Sequence, residues 1–441
     1  INKVLTDDMS ESERSKAAAA ASEALIEKAT KGTDYRADVE TFYHGNEFYL
    51  FVYQRYTDIR MVGAPPSSIG KFGGDTDNWM WPRHTGDFSM LRIYANADNN
   101  PAGYSEDNIP YTPKRHLKIS MEGVEQGDFT MVMGYPGSTD RFLSSWGIEQ
   151  ALNLHNPSVV EVRDLKLKTM KKHMDADLGV RIQYAAKYAQ TANYWKYYIG
   201  QSKGLLALDV QGKKSAIEEE FATWVASDPA IEAIYGEALG LIENYYEATN
   251  ATAKADAYAL EAGLIGSDIT LFAVRFGRTA PGLFSDDAEQ VASTQARLHG
   301  LCDSFFKDYD MDTDRDLFTA LLGKYKADID AELLPSFFDV VDSKYGGSIE
   351  SYAKKMYATS FLINEESARD FIDNATNKNP TNKVGLRLPG SNKSNNPNDA
   401  LNNDLAISAA MSILQTYFGT MQSSAQADYD RGYRLFVRGL R

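Results

Sequence analysis

Gly73-Gly74-Asp75-Thr76-Asp77-Asn78-Trp79-Met80-Trp81-Pro82-Arg83-His84-Thr85-Gly86-Asp87-Phe88-Ser89 is the stretch from which the rest of the chain is read. Glycines, tryptophans, a proline and several ionisable groups fall together without a helical or strand period, so this is not a core-facing element. A loop that carries Trp79 and Trp81 reads as the wall of a pocket, because Trp offers a broad apolar face and a polar N–H. Phe88-Ser89-Met90-Leu91-Arg92-Ile93-Tyr94 then alternates apolar and polar residues as a half-buried strand does. Asp87 therefore stands where a structured loop enters a strand. By position alone it is either a turn aspartate that accepts backbone N–H bonds or the acid that orients the histidine of a Ser-His-Asp triad.

Upstream, Ser10-Glu11-Ser12-Glu13 is a capping box for an Ala-rich helix that ends near Gly32. From Val39 to Val62 the pattern is that of strands. Thr41-Phe42-Tyr43, a His44-Gly45-Asn46 turn and Phe48–Tyr53 form a hairpin rich in aromatics. Phe129-Thr130-Met131-Val132-Met133 is a further short apolar run. After about Ser144 the period becomes helical. Ser158-Val159-Val160-Glu161 reads as a second capping box, and Asp228-Pro229 as an N-cap followed by proline at the first helical position. Periodic stretches cover Ala230–Asn244, Ala253–Ala262, Ala288–Phe306, Leu317–Leu334 and Leu405–Phe418. Between Asn374 and Asn403 the composition of Asn, Pro, Gly and Lys cannot bury a core, and the segment is expected to be a loop or flap.

At 441 residues the chain exceeds one ordinary core. Its 43% hydrophobic and 24% charged content are globular values. The net charge of −15 argues against a phosphate-binding surface, so no nucleic-acid partner is expected. No apolar run approaches the roughly 20 residues that span a bilayer. Cys302 is the only cysteine, which excludes an intrachain disulfide and a cysteine-based zinc site.

Gly63-Ala64-Pro65-Pro66 and Gly70-Lys71-Phe72-Gly73-Gly74 through Asp87 closely resemble a bacterial dipeptidyl-peptidase family of chymotrypsin-like serine exopeptidases. Its types are dipeptidyl aminopeptidase BII and dipeptidyl peptidases seven and eleven. The resemblance continues in Met133–Phe142, in Asn193-Tyr194-Trp195-Lys196 and in Arg434–Arg441, and covers essentially the whole chain. It implies an α+β fold, part of a chymotrypsin-like double β-barrel followed by a large inserted all-α domain. On that basis residues 1–143 are the β-rich part of the barrel with a leading helix, 144–430 a helical cap, and 431–441 the start of a return to the barrel.

The activity implied is removal of dipeptides from a free amino terminus through an acyl-enzyme. The aspartate of the Thr-Gly-Asp-Phe-Ser motif maps onto Asp87 as the triad acid, and the residues that bind the substrate amine map onto Asn78, Trp79 and Asn193. The family's Asn-His-His-Cys-Gly-like and Gly-Asn-Ser-Gly-Ser-Pro-like segments, which supply the histidine and the serine, are absent. The chain starts at Ile1 without a methionine and stops at Arg441 in a helix-like run. It is therefore expected to be the inactive central portion of a longer enzyme. The resemblance further implies peptide substrates, no cofactor, a homodimer, and a periplasmic or cell-surface location in a gram-negative bacterium. Acidic and hydrophobic preferences at the cleavage site both stay open.

If Ile182–Tyr198 is one helix, Ile182, Ala185, Ala186, Ala189 and Asn193 share a face. Read from the residues alone, Asn193 on that face is either a satisfied core amide, the favoured reading, or a group that points into a cleft; the resemblance moves it toward ligand binding. Asp308, Asp310, Asp312, Asp314 and Asp316 alternate like a calcium loop, but Arg315 and Leu321 stand where Gly and Glu would be required, so an acidic helix start is the better reading. His84 and Asp87 have metal-like spacing only in a helix, which Gly86 opposes, and Ser138 lacks a nucleophile elbow. Two other functions remain open at this point: a non-catalytic helical binding or scaffold protein, and a metal-dependent hydrolase using the aspartate-rich loop.

Overall fold

The computed structural model describes residues 1–131, 137, 139–375, 401–421 and 425–441. Residues 132–136 and 138, which carry part of the resemblance and Ser138, lie outside this set, as do residues 376–400 of the asparagine-rich loop. The architecture is α+β, and internal contacts divide the chain into two units. Unit 1 holds Ile1–Ser144, Ala216–Ile242 and Ala427–Arg441; unit 2 holds Ser145–Ser215 and Glu243–Gln426. Residues 216–242, which the sequence reading assigned to the helical section, thus group with the strands.

In unit 1 the Ser10 hydroxyl accepts the Glu13 N–H while the Glu13 carboxylate takes the Ser10 N–H at 2.9 Å, and the expected capping box opens α1 (Glu11–Thr30). Next, β1 (Arg36–Phe42) pairs antiparallel with β2 (Glu47–Tyr53), from Arg36 opposite Tyr53 to Phe42 opposite Glu47. A second sheet runs in the order β3 (Ile59–Gly63), β4 (Met90–Ala95), β5 (Ile109–Pro110), with a register shift between Met61 and Gly63. Two short helices, α2 (Ser67–Gly70) and α3 (Gly74–Asp77), lie in the β3–β4 connection. Among the described residues these strands form two open sheets.

The half-buried pattern expected for Phe88–Tyr94 does not hold. Leu91 is 64% exposed and Phe88, Met90 and Ile93 are exposed too, since among the described residues no layer covers either face of β4. Phe129-Thr130-Met131, the described part of the further apolar run, is irregular and exposed.

Unit 2 is helical and begins with α4 (Ser145–Gln150), a π turn at Ala151–His155, α5 (Asn156–Ala176) and α6 (Leu178–Ala207). Asp177 joins the last two and caps α6 by accepting the Gly179 and Val180 N–H groups at 2.6 and 3.1 Å. No capping box forms at Ser158–Glu161. The helix is already under way there, and the Ser158 hydroxyl donates back to the Leu154 carbonyl at 2.6 Å.

Helices α7 (Val210–Val225), α8 (Pro229–Tyr235, capped by Asp228) and α9 (Ala238–Tyr258) follow, then a π turn at Ala259–Leu264. The chain continues as α10 (Asp268–Thr279), α11 (Ala288–Phe306), α12 (Met311–Asp328), α13 (Phe337–Tyr345), α14 (Ile349–Thr359), α15 (Glu365–Asn374), α16 (Leu405–Met421) and α17 (Gln426–Leu440). The aspartate-rich run is a helix start: the Asp310 carboxylate accepts the Thr313 N–H at 2.8 Å and caps α12.

The core of unit 2 is aromatic. Phe272 stacks on Phe305 at 4.1 Å, and Phe276, Phe361 and Phe371 meet beside them. Each such buried ring contributes roughly 1.5–3 kcal/mol through its apolar area. In unit 1, α17 carries the hairpin: His44 stacks on Tyr433 at 5.0 Å and the Asn46 amide donates to the Arg434 carbonyl at 2.8 Å. Among the described residues no single helix is long and apolar enough to cross a membrane.

Candidate functional site

The β3–β4 connection carries Asn78, Trp79 and Asp87, and its ends are fixed by the sheet. Its first turn is α2, whose Ile69 carbonyl accepts the Gly86 N–H at 3.2 Å. That bond ties the residue before Asp87 back to the start of the loop.

The centre of the loop is organised by Asp77, a residue the sequence reading passed over. Its buried carboxylate accepts the His84 backbone N–H at 2.5 Å and meets the His84 ring nitrogen Nδ1 at 3.2 Å. The His84 N–H is the main cause that holds Asp77 below the usual carboxylate range, against its partial removal from water; the His84 ring and the charges of His84 and Arg83 add to it. Gly73 makes room for this. A Cβ there would stand 1.9 Å from Asp77 Oδ2, so any side chain at 73 would displace the carboxylate.

Asp77 thus closes a ring of residues 77–84, and Asn78 and Trp79 sit inside it. Trp79 has φ +57°, a left-handed backbone that costs a bulky residue of order 1–3 kcal/mol. Strain of that size persists only where surrounding bonds impose it, here the Asp77–His84 closure and the Met80 N–H to Asp77 carbonyl bond of 3.0 Å. Asn78 is half-buried. Trp79 is 56% and Trp81 86% exposed, so the two rings stand out from the surface instead of lining a closed pocket.

Asp87 lies in irregular chain three residues before β4, with its Cα near Gly70. It is exposed, and among the described residues nothing donates to its carboxylate. Asp77 is thus committed to loop shape, whereas Asp87 carries no such bond among the described residues. His84 pairs with Asp77, not with Asp87.

Asn193 belongs to unit 2. It is exposed on α6, and the face read from sequence as buried is the outer one: Ile182 is 71% exposed and Ala185 and Ala186 are exposed with it. The helix instead buries Tyr184, Thr191 and Ala192 and packs Tyr188 and Trp195 against the core. Large aromatics at helical spacing bury more apolar area than alanines do, and they decide the orientation. The core-amide reading of Asn193 is therefore corrected. A signal was available in the spacing of 184, 188, 191 and 195.

A model of the Peptidase S46 family matches residues 1–428. Dipeptidyl-peptidase 7 of Porphyromonas gingivalis is 38% identical over 443 residues, covering 100% of this chain and 58% of that protein. The Asp/Glu-specific dipeptidyl-peptidase of Flavobacterium psychrophilum is 40% identical over 73% of this chain and 45% of its own length. The crystal structure of Porphyromonas endodontalis DPP11 in complex with the dipeptide Arg-Glu superimposes with a TM-score of 0.78 at 31% identity, over 96% of this chain and 57% of that one. The chain thus spans about half the length of these relatives.

Proposed function

The chain belongs to the Peptidase S46 family, and we propose that it is the central part of a serine-type dipeptidyl aminopeptidase. The observation that carries this reading is the contrast between two acids of one loop: Asp77 is bound up in loop shape, while Asp87 is exposed and, among the described residues, receives no hydrogen bond on its carboxylate. The dipeptidyl-peptidase relatives support it.

On this reading Asp87 accepts the Nδ1–H of an imidazole supplied from outside this chain. That bond fixes the tautomer in which the other ring nitrogen takes the proton of an attacking serine. It also stabilises the imidazolium that forms as the serine adds to the peptide carbonyl, and the same proton then passes to the leaving amine. The exopeptidase register comes from binding the substrate's ammonium. Asn78 and Asn193 offer amide oxygens that accept its N–H bonds, and Trp79 offers a ring face. The strained, closed loop at residues 77–84 would hold Asn78 and Trp79 ready before substrate arrives.

The open sheets of unit 1 fit a chymotrypsin-like barrel completed by other parts of the protein. A relative with an acid-specific name is 40% identical over 73% of this chain and one without such a name is 38% identical over all of it, which fits a cleavage-site pocket outside this portion. A periplasmic or cell-surface location and a homodimer belong to the same proposal.

The test is Asp87→Asn in the full-length protein, with dipeptide release measured. The wrong imidazole tautomer is then favoured, and turnover should fall on the order of 10⁴-fold, the loss seen in the chymotrypsin-type enzyme that supplies this magnitude. Near-normal turnover would return Asp87 to the role of a turn residue.

A further inference from the structure

Unit 2 contains a buried ion pair that the proposed chemistry leaves unused. Arg163 on α5 donates from Nη2 to Glu261 Oε1 at 2.8 Å, and both residues are at least nine-tenths buried. Such a pair is a poor source of stability, because desolvation offsets most of its attraction. Here the balance is worse than usual, since Arg163 Nε is buried without a hydrogen-bond partner among the described residues. Glu261 sits on the π turn Ala259–Leu264, a rare distortion that is frequent at functional sites. Stability alone does not account for this arrangement.

The guanidinium has a second neighbour. Its central carbon lies 5.1 Å from the ring centroid of Tyr194, within cation–π range. Tyr194 is 45% exposed and adjoins Asn193. Seven residues before Arg163, Asn156 donates to Gln201 Oε1 at 2.9 Å and to Ser202 at 3.1 Å. Seven residues before Gln201 is Tyr194. A shift of seven is two helical turns, so Asn156 and Arg163 form one stripe on α5 that meets one stripe on α6 running the other way. The core residues Thr191, Ala192 and Trp195 fix the inner face of this part of α6, and Arg163 holds its flank.

We propose that the Arg163–Glu261 pair is a positioning device for the substrate's amino end: by holding Tyr194 it sets the turn of α6 that presents Asn193. This rests on the amine-binding role proposed above for Asn193. Arg163 and Glu261 are positioning residues and touch no substrate. The planar guanidinium suits the task, since it can present one edge to a carboxylate and a face to a ring at once, which a lysine ammonium cannot.

Four variants of the full-length protein test this: Glu261→Gln, Arg163→Lys, the paired R163M/E261L and Asn193→Ala. The paired change removes both charges together, which folded proteins usually tolerate. For each, KM and kcat are measured on a peptide with a free amino end, together with the rate of acylation by a small inhibitor that lacks an amine. Glu261→Gln and the paired variant should raise KM about tenfold, the scale of one charge-assisted hydrogen bond, with kcat and inhibitor acylation near wild type. Arg163→Lys should fall between them and wild type. If Asn193→Ala raises KM and the pair variants do not, the positioning role is overturned while the amine clamp survives. If Asn193→Ala itself leaves KM unchanged, the clamp fails and the positioning role falls with it. Equal losses against peptide and amine-free inhibitor in the paired variant would reduce the ion pair to general scaffolding and overturn the proposal.

Discussion

Replacing Asp314 by Asn in this chain, and melting both proteins between about pH 4 and 8, isolates one buried carboxylate of unit 2. Asp314, in the first turn of α12, accepts the N–H groups of Asp268 at 2.5 Å and Ile269 at 3.2 Å, which open α10. It also accepts the Tyr357 hydroxyl at 2.8 Å from α14. Removal from water is the largest influence on it and the Asp268 charge the next, and together they outweigh these three donors and push Asp314 up to about 7 from an ordinary 3.8. Asp268 itself accepts hydrogen bonds from the Lys187 ammonium at 2.6 Å and the Tyr184 hydroxyl at 2.9 Å.

A raised folded pKa means that the folded chain binds the proton more tightly than the unfolded one. The stabilisation is complete below an ordinary carboxylate's pKa and is lost as pH rises through about 7. Three powers of ten in proton affinity correspond to on the order of 4 kcal/mol. At roughly 2–4 °C per kcal/mol for a unit of this size, the melting temperature should fall by about 8–16 °C across the window. His155 works the other way: burial lowers its pKa from 6.5, so its share is present above that value and is lost as pH falls. The substitution leaves His155 untouched, and the difference between the two proteins reads Asp314. Asn presents one acceptor where three donors converge, so Asp314→Asn is also less stable at acid pH by about 1–3 kcal/mol. A variant that kept the wild-type slope, or a wild type that gained stability over its variant toward pH 7, would refute the assignment.

Three further outcomes follow from the loop and from the proposed placement of the base and nucleophile. In the full-length protein, Asn78→Ala and Trp79→Ala should slow dipeptide release while leaving an amine-free acylating inhibitor nearly unaffected, the asparagine change by roughly 1.5–3 kcal/mol of charge-assisted hydrogen bonding; equal slowing of both reactions would discard the amine clamp. Gly73→Ala forces the Asp77 carboxylate off His84, because the new Cβ would occupy its place 1.9 Å away, and hydrogen exchange of the His84 amide should then accelerate; unchanged protection would show that Asp77 does not close the loop. The purified 441-residue chain should give a helical circular-dichroism spectrum and release no dipeptides, and measurable release would sink the assignment of the base and nucleophile to other parts of the protein.

How much of this was legible in the sequence depended on whether a signal was local. Capping chemistry is local: Ser10 with Glu13, Asp228 before Pro229 and Asp310 at the aspartate-rich run all cap helices as their residue types require. The hairpin around His44-Gly45 is local too, since its positive φ values fall at the tight turn between the two paired strands. Ser158 misled because the same S-x-x-E letters occur inside a helix, where the hydroxyl finds a carbonyl one turn back.

The outward face of α6 was missed for a reason of magnitude. Counting apolar positions gives Ile182 and three alanines the same weight as Tyr184, Tyr188 and Trp195, whereas burial follows area and the aromatics have several times more of it. In the site loop the motif led to Asp87, while the carboxylate that shapes the loop is Asp77, ten residues earlier. Its partner His84 is seven residues away through irregular chain, a spacing that no helical or strand period marks. The trace left in the sequence is Gly73, where a glycine is needed because a carboxylate from four residues on occupies the space of a Cβ. Asp77 and Gly73 are therefore two halves of one requirement: the side chain that closes the loop and the missing side chain that admits it. If Asn78 and Trp79 act as the substrate's anchor, their precision comes from that pair, and a change at Gly73 should be felt in amine recognition without touching any atom of the substrate.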